Sequence, residues 1–298
     1  MRSVIRDKQK GNGGSCAGSC PFGIRNMYQI HHVFPGVTHI TEKMGVGFTL
    51  IEGDNRAILF DTGYGFENIQ DFLKTITKKP LTVILSHGHH DHILGARWFE
   101  HSFLCREDMN EFTERTGTVQ REKVKKQAEE NGIHVPEDYL TAGIKTPEAV
   151  SFTEKTGPFE SITEDLGGIT VNLIHVPGHT PGSIVLYIPE YSLLITGDNW
   201  NPCTWMWFPT SEGADTWRNR MTELIRTIET TYGQQISKIV CSHQQAAHEG
   251  KELKDYLDYM TDEKLKEAPA VDMGAPINTH QVVKDGWILL FDQSKIKC

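Results

Sequence analysis

The stretch His87-Gly88-His89-His90-Asp91-His92 sets four imidazoles and a carboxylate at the end of the apolar run 81–86. That run reads as a buried strand, bounded by Pro80 on one side and by the polar cluster on the other. A strand that stops at such a cluster is poor packing material. Buried imidazoles and carboxylates need partners, and a core supplies none as readily as a cation does. His87 and His89, two apart at a strand end, can converge on one ion. Asp91 and His92, where the chain turns into the next helix, can converge on a second. A solvated His-rich turn would carry the same residues, so the remainder of the chain has to decide.

Three more polar residues sit where strand patterns end. His179 lies in the Pro/Gly-framed loop Val176-Pro-Gly-His-Thr-Pro-Gly-Ser183, Asp198 follows the apolar run Leu194-Ile-Thr-Gly, and His243 closes Ile239-Val-Cys-Ser. Any one of them could be a capping or turn residue. With the first cluster they make a set of histidines and aspartates at the strand ends of a mixed α/β pattern, where binding sites gather.

The pattern is sheet first, then strand and helix in alternation. Strands are expected at 28–34, 37–41, 45–52 and 56–61, and a helix over 66–77. After the histidine cluster a helix over 93–100 and a strand at 102–106 follow. Residues 107–157 break the rhythm and read as a helical surface insert, a lid or a solvated excursion. Strands resume at 169–176, 184–188 and 192–196, followed by a helix over 215–231, a strand at 238–242 and a helix over 249–266. Residues 268–298 close the chain with a hairpin, 277–283 and 287–291 around Lys284-Asp-Gly286. Residues 1–26, Gly-rich and without apolar content to bury, read as a flexible tail, which leaves 27–298 as the single folded domain.

At 298 residues the chain can bury a large core, and 38% hydrophobic with 23% charged residues is the balance of a soluble globular protein. A formal net charge of −9 without charged blocks argues against nucleic acid as a partner. No run approaches a membrane span, and the N-terminus has no apolar signal core. Six scattered cysteines fit free thiols in a reducing compartment, so the expected location is cytoplasmic. A homodimer is left open.

HGHHDH resembles the H-x-H-x-D-H signature of the metallo-β-lactamase-fold hydrolases. The order Asp61-Thr-Gly63, histidine cluster, PGHTPGS, TGD and a late strand-end histidine is similar to that superfamily over residues 28 to 250. The resemblance implies an α/β fold, the αββα four-layer sandwich, with two sheets face to face, helices outside and a metal centre at one sheet edge. Carried over, it implies His87, His89 and His179 on a first metal and Asp91, His92 and His243 on a second. Asp198 would bridge them, and Asp91 and Asp198 would be the catalytic carboxylates. Asp61 would stand behind a ligand and orient it. His90 would not be a ligand.

The chemistry agrees. Three neutral imidazoles make an open zinc site, and an added carboxylate suits a second, harder ion. The expected cofactors are two Zn2+ ions, with iron or manganese as alternatives. Two cations roughly 3.5–4 Å apart can trap a bridging hydroxide as the nucleophile.

Asp198 resembles the lactonase, thioesterase and phosphodiesterase branches rather than the β-lactamases. The hydroxyacylglutathione hydrolases and persulfide dioxygenases carry a Gly- and Arg-containing stretch after their TGD, where this chain has Asn199-Trp-Asn-Pro-Cys-Thr-Trp-Met-Trp-Phe208. Trp200, Trp205, Trp207 and Phe208 would form an aromatic wall for an apolar or cationic substrate group, or else pack the following helix. The leading expectation is a dinuclear hydrolase of a small-molecule ester or lactone. A phosphodiesterase acting on a choline-like group comes second, and a metal-dependent oxidoreductase of the persulfide dioxygenase kind is the minor option.

Overall fold

The computed structural model describes residues 27–274 and 278–298, so the expected tail at 1–26 lies outside the described residues. Two seven-stranded sheets and a small three-stranded one carry the fold. The first sheet runs in chain order: β1 (Tyr28–Phe34), β2 (Val37–Glu42), β3 (Gly47–Glu52), β4 (Ala57–Phe60), β5 (Leu81–Ile84), β6 (Phe103–Leu104) and β7 (Glu148–Ala149). It is antiparallel through β4 and parallel from β4 to β7. The short helices α1 (Ile69–Leu73) and α2 (His90–Ile93) fall in the crossovers, and α3 (Met109–Arg115) and α4 (Thr118–Glu130) lie between β6 and β7.

The second sheet uses β8 (Glu154–Thr156), β9 (Phe159–Asp165), β10 (Thr170–His175), β11 (Ile184–Ile188) and β12 (Leu193–Ile195). After the strand β13 (Cys203–Met206), which belongs to the three-stranded sheet, and the long helix α5 (Ala214–Tyr232), β14 (Lys238–Val240) and β15 (His248–Glu249) complete it. Its order is β15-β14-β12-β11-β10-β9-β8. The helices α6 (Gly250–Tyr259) and α7 (Asp262–Lys266) follow, and the hairpin β16 (Thr279–Lys284) and β17 (Trp287–Asp292) ends the chain.

Period-two alternation explains the layers. In β11 every residue is buried, yet Ile184, Leu186 and Ile188 join a cluster with Val37, Ile51, Ile58 and Phe60 of the first sheet. Val185 and Tyr187 face the other way and pack with Trp217, Met221 and Leu224 of α5 and Leu253 and Tyr256 of α6. Each such side chain removed from water contributes roughly 1.5–3 kcal/mol. On the outer face of the first sheet, Ala57, Leu59 and Val83 pack with Ile69, Phe72 and Leu73 of α1. The result is helix, sheet, sheet, helix: the α/β four-layer sandwich expected from the sequence.

Several elements depart from expectation. The 66–77 helix shrinks to α1, started by the Asn68 side chain accepting from Asp71 N at 3.2 Å. The 93–100 helix begins earlier, at His90, and turns into a 3-10 helix over Leu94–Trp98. The 249–266 helix breaks at Met260, and Thr261 caps a new start. The 107–157 segment is no solvated excursion. Val124 and Ala128 of α4 join Tyr64, Phe66, Leu94 and Tyr139 in a cluster of their own, and the Arg121 guanidinium donates to the carbonyls of Tyr139, Leu140 and Ala142. Sparse apolar residues sufficed because an arginine took the remaining carbonyls.

β9 and β13 went unforeseen. β13 pairs parallel with β17, turning the C-terminal hairpin into a third sheet. Its alternation settles the aromatic stretch: Thr204 and Met206 point into the core, while Trp205 is 40% exposed.

Candidate metal centre

The strand ends of the two sheets bring the expected residues into two adjacent groups. One is His87, His89 and His179, the other Asp91, His92, Asp198 and His243; within each group one donor atom per residue lies within 4.8 Å of the others. His87 follows β5, Asp91 and His92 form the first turn of α2, His179 lies in the loop after β10, Asp198 follows β12, and His243 follows β14. Asp198 Oδ2 stands 3.0 Å from His243 Nε2, 3.4 Å from His92 Nε2 and 3.7 Å from His179 Nε2. It therefore touches both groups. Asp91 Oδ2 lies 3.6 Å from His243 Nε2 and 3.7 Å from His92 Nε2.

The outward nitrogens of His87, His92 and His179 are held, which decides which of their lone pairs point inward. Ser86 Oγ donates to Asp61 Oδ2 at 2.8 Å, so its only proton is used and it must accept from His87 Nδ1 at 2.9 Å. His92 Nδ1 donates to Asp61 Oδ2 at 2.9 Å. His179 Nδ1 donates to the Trp205 carbonyl at 2.7 Å. Its Nε2 then faces His89 Nδ1 at 2.9 Å, one lone pair against another ring nitrogen. His89 Nε2 lies 3.5 Å from Glu111 Oε1, a carboxylate also held by Arg115 Nε at 2.7 Å.

This donor set fits divalent cations. His87 Nε2, His92 Nε2 and Asp198 Oδ1 are buried with no hydrogen-bond partner, although such atoms in a core are nearly always paired. Burial, reinforced by the neighbouring imidazoles, holds His87 and His89 well below the usual histidine range, and burial also lowers His179. These three offer neutral imidazoles near neutral pH, the form that a cation requires. Burial alone would lower His92 too, but the carboxylates of Asp198, Asp91 and Asp61 outweigh it and raise it well above its ordinary value. Burial works to raise Asp198, yet His243 and His92 hold it well below the usual carboxylate range.

Two close approaches frame the first group. Asp108, fully buried at the start of the insert, accepts from Gly88 N at 2.8 Å, Gly182 N at 2.7 Å and Thr180 Oγ1 at 2.6 Å. It ties the loop bearing His87 and His89 to the loop bearing His179. A Cβ at Gly182 would fall 2.6 Å from the Asp108 carboxyl carbon, and one at Gly88 would fall 2.8 Å from Glu111 Cβ, so both loops require glycine there. The Asn199 side chain accepts from His179 N at 3.0 Å and donates to the Val176 carbonyl at 2.7 Å.

Asp108, Glu111 and Asn199 were not expected from the sequence. Asn199 stands beside Asp198 and could have been suspected. Asp108 and Glu111 carry no local signal, since they lie in a charged stretch that reads as solvent-facing.

The family model of the metallo-beta-lactamase superfamily matches residues 46–226. The chain belongs to that superfamily. His243 lies beyond the matched stretch of the superfamily model, and its place in the centre rests on the geometry above. Among curated proteins, the probable metallo-hydrolase YqgX of Bacillus subtilis is 26% identical over 153 residues, 49% of this chain and 61% of the relative. An uncharacterized protein of Mycobacterium tuberculosis is 28% identical over 148 residues, 48% of this chain and 61% of the relative. The match thus spans about three fifths of the length of these relatives.

Among solved structures, a metallo-beta-lactamase from Pontibacter korlensis superposes with TM-score 0.51 at 16% identity, covering 78% of this chain and 97% of that one. The sec-alkylsulfatase Pisa1 from Pseudomonas sp. superposes with TM-score 0.58 at 20% identity, covering 81% of this chain and 42% of that one. At such identities the likeness is one of fold.

The aromatic residues divide. Phe208 sits beside the first group, its ring centroid 4.6 Å from that of His89 and 5.4 Å from that of His179. Trp207 stacks on Phe208 at 4.8 Å, with Trp205 6.0 Å from Trp207. Trp200 does not join them. It is 0% exposed and packs edge-on against His248 and Tyr256 in the core beneath α5 and α6. The expectation that Trp200 lines a substrate pocket is therefore corrected. The Thr196 hydroxyl donates to the Trp200 carbonyl at 2.8 Å, and the ring lies in the core cluster with Trp217 and Tyr256. His90 belongs to neither group, and its ring meets Tyr64 edge-on at 5.8 Å.

Proposed function

We propose that this superfamily member is a metal-dependent hydrolase that cleaves an ester or lactone of a small molecule at a two-cation centre, with zinc in both positions. The observation that carries this reading is Asp198 Oδ2, placed 3.7 Å from His179 Nε2 and 3.0 Å from His243 Nε2, between an all-imidazole group and a carboxylate-bearing one. His87, His89 and His179 would hold one ion, Asp91, His92 and His243 the other, and Asp198 both. When bound, such a pair supplies a water of lowered pKa and polarises the scissile oxygen.

The chain's own side chains do the rest. Asp91, whose carboxylate faces His92 and His243, is placed to hold the proton of the attacking water at its free oxygen. Asp61 and Ser86 keep the ring nitrogens of His87 and His92 turned inward. Phe208 and Trp207 form an apolar edge beside His89 and His179, suited to the acyl part of an ester and able to exclude water from it. The likeness to the probable metallo-hydrolase of Bacillus subtilis supports the reaction class. The described cysteines Cys105, Cys203, Cys241 and Cys298 are free, which supports a cytoplasmic setting. Among the described residues no helix is long and apolar enough to cross a membrane.

A second reading is favoured by the exposed face of Trp205 beside Trp207. Two indoles at the mouth of a metal centre suit a quaternary ammonium group, which would make a choline-like phosphodiester the substrate. Metal-replete protein assayed on chromogenic esters, lactones and phosphodiesters separates the two. Turnover of esters or lactones above phosphodiesters is expected. Hydrolysis of phosphodiesters alone would replace the first reading with the second, and no turnover of any class with two bound metals would overturn both.

A further inference from the structure

Another cluster of metal-ligating side chains stands apart from the seven residues above. Cys105 follows β6, Glu107 lies in the 3-10 turn Arg106–Asp108, and His175 ends β10. One donor atom from each lies within 4.8 Å of the other two. Cys105 is buried, and its Sγ donates to Glu107 Oε2 at 2.9 Å. The geometry of His175 is more telling. Its Nε2 lies 2.9 Å from the Pro181 carbonyl oxygen, which can only accept, so Nε2 carries the ring proton. In the neutral ring the lone pair is then on Nδ1. That atom lies 3.7 Å from a carboxylate oxygen of Glu160, which has no proton to offer it. The Phe152 ring lies nearly parallel to the imidazole, 15° off at 5.6 Å, and fixes its plane. A backbone carbonyl on the far nitrogen is the usual support of a metal-binding histidine.

We propose that Cys105, Glu107 and His175, with Glu160 as fourth ligand, form a separate site for one thiophilic divalent cation, best suited to zinc. A thiolate, an imidazole and two carboxylates make a closed four-ligand set, and the thiolate selects against magnesium, calcium and manganese. Cys105, Glu107 and His175 already hold their donors within 4.8 Å of one another, and side-chain rotation of the exposed Glu107 and Glu160 would bring the set to zinc bond lengths of about 2.0–2.3 Å. On binding, the Cys105 S–H bond breaks and its proton leaves to solvent, while the sulfur lone pair forms the bond to the ion. Closed on four sides, the site is structural. It joins the end of β6 in one sheet to β9 and β10 in the other. Through Pro181 it also steadies the loop that carries His179.

Cobalt loading of the full chain tests this without any assay of turnover. The seven-residue centre contains no cysteine, so thiolate-to-cobalt charge-transfer absorption in the near ultraviolet reports on this site and not on that one. Wild-type protein should show the absorption and bind one equivalent more than the Cys105→Ser variant, which should lose the absorption. Glu107→Gln, an exposed change that folding should tolerate, should weaken cobalt binding at this site on the order of ten-fold or more. The double variant Cys16→Ser with Cys20→Ser should keep the absorption. No thiolate absorption in wild type would overturn the proposal, leaving only a thiol–carboxylate hydrogen bond. So would absorption that persists in Cys105→Ser, that is indifferent to Glu107→Gln, or that disappears with Cys16 and Cys20.

Discussion

Asp61 Oδ2 accepts from His92 Nδ1 at 2.9 Å and, through Ser86 Oγ at 2.8 Å, also fixes the Nδ1 proton of His87. One buried carboxylate thus sets the orientation of a histidine in each group. It does so from a left-handed backbone, φ 69°, a conformation that aspartate tolerates better than most side chains. Asp61 Oδ1 also takes the Ser86 amide at 2.7 Å, so the turn before the histidine cluster hangs on the same residue.

Replacing Asp61 by Asn keeps the backbone preference but puts a donor where Ser86 or His92 now donates. Metal affinity should fall 10–100-fold in both groups, as is usual for outer partners of ligating histidines. Competition with a chromophoric chelator measures it. Unchanged affinity for both equivalents would mean that Asp61 serves the turn alone.

Asp198→Ala removes the one carboxylate among the described residues that reaches both groups. The variant should bind less than two equivalents of metal and lose most of its turnover, while melting within a few degrees of wild type measured metal-free. Elemental analysis beside a thermal melt checks this. A variant that keeps two equivalents and wild-type turnover would refute the bridging role.

The tryptophans should behave differently from one another. Trp200→Ala empties a fully buried site and should cost about 3–5 kcal/mol of stability. Trp207→Ala and Trp205→Ala remove half-buried or exposed rings. They should leave stability nearly unchanged and raise KM by roughly ten-fold for substrates with an apolar or cationic group, the worth of one aromatic contact. Urea melts and steady-state kinetics on the three variants decide it, and unaltered KM in both Trp205→Ala and Trp207→Ala would remove the aromatic wall.

His39 sets a pH dependence of its own. Burial lowers its pKa from 6.5 to about 4, although its nitrogens pair with Thr49 Oγ1 and the Gln244 carbonyl, each at 3.0 Å. Above pH 6.5 the ring is neutral folded and unfolded, and it contributes no slope. As pH falls from 6.5 towards 4 the unfolded chain binds a proton that the folded one refuses, so stability declines across that window. The loss should reach on the order of 3 kcal/mol. Urea unfolding of metal-free wild type and of His39→Gln at several pH values measures it. The variant should be less sensitive over that window, and identical slopes would exclude His39 as the cause.

Much of the centre is written locally. His87, His89, Asp91 and His92 fall within six residues, and His179, Asp198 and His243 each follow an apolar run, so their place at strand ends could be read directly. The alternating and wholly apolar strands announced a two-sheet core with helices outside for the same reason: side-chain period and burial are properties of short stretches. What only the tertiary structure decided depends on pairs far apart in the chain. Asp108 and Glu111 sit in a charged segment that reads as solvent-facing, and they become buried partners of the metal loops because β6 delivers them there. Trp200 and Trp205 read alike, five residues apart in one aromatic stretch. Trp200 lies before β13 and fills the core under α5 and α6, whereas Trp205 lies on β13, whose pairing with β17 from the far end of the chain, invisible in either segment, fixes which of its side chains meet the core.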